Sequence, residues 1–155
     1  MSRAFTKEDG DPDDDGLPER PVPLGPNPVT ESGLAALKAR VEALRAELKR
    51  VTAGEPGGEK RALERELRYF DVRLKTAALT LPGEPGVVRF GSTVELSEPG
   101  GGTRRVRIVG HDEADPEKGL LSWTSPLADA LLGKAAGAEV PLGPSRLRVL
   151  SVSAG

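Results

Sequence analysis

Chemistry in this chain would have to come from carboxylates and hydroxyls. There is no cysteine, so disulfides and thiolate metal sites are excluded, and one histidine, His111. A histidine-based zinc site or a Ser-His triad needs more partners than that. Paired carboxylates can hold Mg²⁺ and orient water for two-metal chemistry, and three stretches hold acids near enough in sequence to be weighed for it. The first is Asp11-Pro12-Asp13-Asp14-Asp15. The second is Glu55 with Glu59, with Lys60 and Arg61 adjacent, and the third is Asp112, Glu113 and Asp115. The first and third read as solvated runs, the third being a turn between two strands. Glu55 and Glu59 are separated by three flexible residues, which is poor geometry for a shared cation. Helix-end charge describes them as well. The hydroxyls cluster at Ser122, Thr124 and Ser125, just before Pro126. Serine followed by proline is a helix start, the serine as cap and the proline at the first helical position.

The elements that position these groups follow from periodicity. Leu34, Leu37, Val41, Leu44, Leu48 and Val51 are spaced 3, 4, 3, 4, 3, a heptad seam on one helix face. Thr30 suits its N-cap. The helix must stop near Gly54, because Gly54-Glu55-Pro56-Gly57-Gly58 is rich in breakers. Leu63, Leu67, Phe70, Leu74 and Ala77 form a second run, ending before Pro82-Gly83. Two such helices with a short connection imply an antiparallel coiled-coil hairpin over 30–81. Tyr69 and Phe70 are placed to lock its base. The hairpin satisfies its own apolar face, so a monomer is expected.

After residue 82 the period becomes two. Val87–Phe90, Thr93–Leu96, Thr103–Val109, Leu120–Trp123, Glu139–Leu142 and Ser145–Val152 read as strands, with a helix over Leu127–Leu132 closed by Gly133. The fold class is α+β: the hairpin, then a small antiparallel β domain with one helix over 82–155. Residues 1–29 contain prolines at 12, 18, 21, 23, 26 and 28 and carry net charge −4. They read as an extended, disordered tail. The hairpin carries +3 and the β domain −1, within a total of −2. The molecule as a whole is therefore not an electrostatic nucleic-acid binder. The start of the chain has no apolar signal core and no run approaches a membrane span, so a cytoplasmic protein without a membrane partner is expected.

Four stretches together resemble the Gre transcription factors (GreA/GreB). They are Thr30–Leu37, Glu66–Thr80, Phe90-Gly91-Ser92-Thr93-Val94 and the long stretch Arg107–Lys134. The opening Met1-Ser2-Arg3-Ala4-Phe5 and Leu17-Pro18-Glu19-Arg20-Pro21 resemble a GreB-like subset. The resemblance implies a coiled-coil arm and an FKBP-like C-terminal domain. It implies a partner, RNA polymerase, bound at its secondary channel, with the arm inserting and the globular domain docking on the rim. Nucleic acid would be met only through the polymerase. Carried over, docking falls to Ser122, Thr124, Ser125 and Pro126, although family members commonly carry an acidic residue where Thr124 stands.

Cleavage-stimulating Gre factors carry Asp-x-x-Glu-Asn at the arm tip. This chain has only Glu55 and Glu59 there, on an arm shorter by about two turns per helix at 3.6 residues each. The expectation is a channel binder that stimulates transcript cleavage poorly, with no cofactor and no catalytic constellation of its own. A Rnk-like or anti-Gre competitor is the alternative within the same binding class. A prolyl isomerase, the enzyme alternative, would need an aromatic-lined pocket, and residues 82–155 offer only Phe90 and Trp123. A generic adaptor dimerising through the Leu34–Val51 face is a further alternative.

Overall fold

The computed structural model describes residues 18–52 and 57–155. Expectations about Asp11–Asp15, Gly54 and Glu55 fall outside them. The described chain forms two compact units, one of residues up to 24 with 38–75, the other of 25–37 with 76–155.

In the first unit, helix α1 (Glu31–Thr52, of which 38–52 belong here) and α2 (Gly58–Thr76) form the hairpin. At 1.5 Å per residue, 22 and 19 residues make helices of about 33 and 28 Å. Val41 and Leu44 of the seam are buried, but Leu48 and Val51, nearer the tip, are only half-buried. On α2 the buried residues are Tyr69 and Arg73. Polar pairs join the two helices: Arg45 to Asp71 at 3.2 Å and Arg40 to Glu66 at 3.8 Å.

Residues 18–24, read as tail from sequence, lie against α2 in extended form. Arg20 donates to both Glu66 oxygens at 3.0 Å, and its guanidinium sits 3.9 Å from the Tyr69 ring centre. Tyr69 meets Phe70 edge-on at 4.9 Å. Arg68 grips the Glu19 carboxylate with two bonds, of 2.8 and 2.6 Å. Those bonds hold the Glu19 carboxyl below the usual carboxylate range and raise Arg68. Proline removes donors but leaves extended backbone free to present charged side chains, which is how a proline-rich segment acquires a docked course.

The second unit is built on a five-stranded sheet in the order β5-β4-β3-β7-β6. Its strands are β3 (Ser92–Ser97), β4 (Thr103–Val109), β5 (Leu120–Ser122), β6 (Glu139–Leu142) and β7 (Ser145–Ala154). Alternation sends Val94, Leu96, Val106, Ile108, Leu121, Val140, Leu147 and Val149 to one face, where they pack with Ala128 and Leu131 of helix α3 (Pro126–Leu131). A bulge between Glu95 and Leu96 shifts the β3–β7 register, which lets β7 keep its apolar residues inward on both sides of it.

The α+β class holds, with two departures from the expected antiparallel sheet. The pair β4–β5 is parallel, Arg107 opposite Leu120 and Val109 opposite Ser122. A parallel return normally needs a long crossover. Here β5 begins level with Arg107, so the chain backs up by only two residues, and two 3₁₀ turns, His111–Glu113 and Pro116–Lys118, span the gap. A second, two-stranded parallel sheet joins β1 (Pro28–Val29) to β2 (Ala78–Leu79). The expected strand Val87–Phe90 reduces to a single bridge, Val87 with Ala135, beside which the Val88 N–H donates to Lys134 O and the Val88 C=O accepts from the Gly133 N–H. No described helix is long and apolar enough to cross a membrane.

Candidate functional site

The hydroxyl cluster occupies the turn between β5 and α3. Ser122 and Thr124 share a hydrogen bond of 2.9 Å between their hydroxyls, and the Thr124 N–H donates to Ser122 Oγ at 3.3 Å. Ser125 caps α3, accepting from the Ala128 N–H at 3.3 Å, with extended backbone at φ −71° and ψ 154°. Pro126 takes the first helical position, and Gly133 follows the helix at φ +85°. The four residues expected to dock, Ser122, Thr124, Ser125 and Pro126, therefore sit on one turn. Thr124 and Pro126 are exposed and the two serines are half-buried. The turn is pinned from beneath, since Trp123 N–H donates to Val109 O at 2.9 Å and Ala128 and Leu131 are fully buried. Thr124 and Pro126 thus present a hydroxyl and a proline ring to solvent from a turn held by hydrogen bonds.

The acidic turn behaves differently from a solvated connection. Thr30 caps α1 as expected, accepting from the Gly33 N–H at 2.9 Å. The Thr30 hydroxyl in turn donates to Glu113 Oε1, and the Ser32 hydroxyl donates to Glu113 Oε2 at 2.8 Å. Both carboxylate oxygens are thus spent on the first turn of α1, where the helix dipole also favours negative charge. Gly33 makes room for this: an added Cβ would stand 2.6 Å from Glu113 Oε1. Gly110 makes room for β1, because a Cβ there would meet the Pro28 carbonyl oxygen at 2.6 Å. Sequence reasoning found the cap but missed its partner, 83 residues away. A glycine three residues after a cap, where a better helix former would be expected, was the available signal.

At the arm tip, Glu59 lies exposed in the first turn of α2, and Glu55 is outside the described residues. Among the described residues no group of three or more His, Asp or Glu side chains is arranged to hold a metal.

An open groove of about 280 Å³ lies on the face of the sheet away from α3. It is bounded by Arg105, Arg107 and Lys118 over a floor of Thr93, Gly119 and Leu120.

The described residues thus form a helical hairpin and an α+β unit that carries a hydroxyl-rich turn. Residues 83–154 match the family described as "Transcription elongation factor, GreA/GreB, C-term". GreA of Verminephrobacter eiseniae is 42% identical over 99 residues, covering 59% of this chain and 63% of that protein. GreB of Xanthomonas axonopodis pv. citri is 40% identical over 97 residues, 58% of each chain. Among solved structures, GreA factor homolog 1 (Gfh1) of Thermus thermophilus is 22% identical, covering 83% of this chain and 99% of that one, at a TM-score of 0.40. Residues 83–154 are thus similar to the C-terminal domain of the GreA/GreB transcription elongation factors. The chain's matches span about three-fifths of the length of those two relatives.

Proposed function

We propose that this protein binds RNA polymerase at the secondary channel, docking through the Ser122–Pro126 turn and presenting the hairpin, and that it stimulates transcript cleavage poorly. The observation that carries the docking half is the pinned, outward-facing turn inside the segment that matches the GreA/GreB C-terminal domain. The cap fixes the helix start and leaves Thr124 and Pro126 free for contact. Supporting weak cleavage, the tip sequence Thr52-Ala53-Gly54-Glu55-Pro56-Gly57-Gly58-Glu59 lacks the paired acids that a second Mg²⁺ would need. A factor that occupies the channel without supplying those acids competes with factors that do. This is the anti-Gre competitor reading, and the same absence of paired acids favours it.

The test is transcript shortening in a backtracked elongation complex, alone and with a cleavage-competent Gre factor. Little shortening alone, with suppression of the competent factor, is the expected result. Robust shortening abolished by Glu55→Ala and Glu59→Ala would sink the weak-cleavage half. Failure to bind polymerase at all would sink the docking half. Thr124→Asp restores the acidic character common at this position in the family, and is expected to tighten polymerase binding.

A further inference from the structure

We infer that the groove between β4 and the start of β5 is a carboxylate-binding site that receives an acidic polypeptide segment of the docking partner. Arg105 and Arg107 alternate on β4 and so project from the same face, about 6.6 Å apart at 3.3 Å per residue. Arg107 is steered by its own Nε, which donates to the Gly91 carbonyl at 3.4 Å. Lys118 enters from the 3₁₀ turn before β5. Its carboxylate neighbour Asp115 is 3.9 Å away and both side chains are well exposed, so little of the lysine's charge is spent. Arg105 is exposed and has no ion-pair partner among the described residues. The floor is low because Gly119 lies against β4, where a Cβ would meet the Arg105 carbonyl oxygen at 2.6 Å. Three cations around a floor part apolar and part hydroxyl suit a pair of carboxylate side chains, which guanidinium forks can accept two oxygens at a time.

Nucleic acid fits less well. Groove-lining residues include no aromatic for a base to stack on. Glu95 stands opposite Arg105 in the β3–β4 register and lowers the field for any anion, so it is the missing stacking surface that disfavours nucleic acid. The groove also continues a surface already assigned. Leu120 lies opposite Arg107, and Ser122 lies opposite Val109 on the same outer face. The groove and the Ser122–Pro126 turn are thus opposite ends of one short edge strand. This inference rests on the polymerase reading for the partner's identity, but not for the chemistry.

The decisive experiment uses the full chain and the double variant Arg105→Gln/Lys118→Gln, which leaves Arg107 and its backbone contact untouched. Far-UV circular dichroism confirms that both are folded. Binding is read by fluorescence anisotropy with a fluorescein-labelled glutamate-rich peptide and with a single-stranded RNA of equal length, and by affinity for RNA polymerase across a salt series. The native chain is expected to bind the peptide in preference to the RNA, and the variant to bind peptide and polymerase about tenfold more weakly, with a flatter salt dependence. Unchanged peptide or polymerase affinity in the variant overturns the proposal, as does preference for RNA or no peptide binding by the native chain. A native chain that holds the peptide through these residues but ignores polymerase would leave the groove standing and defeat the polymerase reading instead.

Discussion

The two units solve the problem of cohesion in opposite ways. The sheet unit has a dry core, with Val94, Leu96, Ile108, Leu131, Val140 and Leu147 all fully buried. The hairpin unit buries Val41, Leu44 and Tyr69, and otherwise relies on charged side chains laid over aromatic rings and on exposed ion pairs. Apolar burial contributes about 25 cal/mol per Å², whereas exposed pairs contribute about 0–1 kcal/mol each. A rigid platform and a marginal arm are therefore expected within one chain. Regions that open locally are those with few buried apolar contacts.

The largest test of this contrast is Leu147→Ala. It removes a fully buried side chain of β7 and should cost about 2–5 kcal/mol in denaturant unfolding. A cost below 1 kcal/mol would erase the contrast. Gly110→Ala comes next. The new methyl meets a backbone carbonyl, which cannot rotate away as a side chain would, and a loss of about 1–3 kcal/mol should appear as a lower melting temperature. Arg20→Ala should lower hairpin helicity by circular dichroism and cost about 0.5–1 kcal/mol, since its cation–π contact and Glu66 pair are both part-exposed. An effect as large as that of Leu147→Ala would mean the arm is no less rigid than the platform.

The smallest effect is on pH. Glu19 binds its proton less readily when folded than when unfolded, so its contribution is present near neutrality and is lost as pH falls through its lowered pKa. Exchange of hairpin amides should accelerate, after correction for intrinsic rates, only below the ordinary carboxylate range. Acceleration already at neutral pH would show that Arg68 does not hold Glu19 in solution.

Periodic elements were legible in the sequence, and long-range polar pairings were not. The 3-4 spacing from Leu34 to Val51 located α1, and alternation in Thr103–Val109 gave the bounds of β4. Ser125 and Pro126 announced the start of α3 because capping is local chemistry. By contrast, the parallel β4–β5 pair rests on a register of two residues that no composition reveals. The docked course of residues 18–24 depends on Glu19 and Arg20 meeting side chains nearly fifty positions away. At the candidate site, the turn's residues were readable and the neighbouring basic groove only partly so. Alternation along Thr103–Val109 puts Arg105 and Arg107 on one face, but Lys118 joins them only through the unexpected parallel return.

The grip of Glu113 on the first turn of α1 has an evolutionary consequence. Because the carboxylate fills the space that a Cβ at position 33 would occupy, bulk at position 33 and reach at position 113 must trade against each other. Positions 33 and 113 should therefore covary across relatives: glycine with a long acidic or amide side chain, alanine or larger with a shorter one. The loop between β4 and β5 should also tolerate length changes only on the far side of Glu113, away from Gly110.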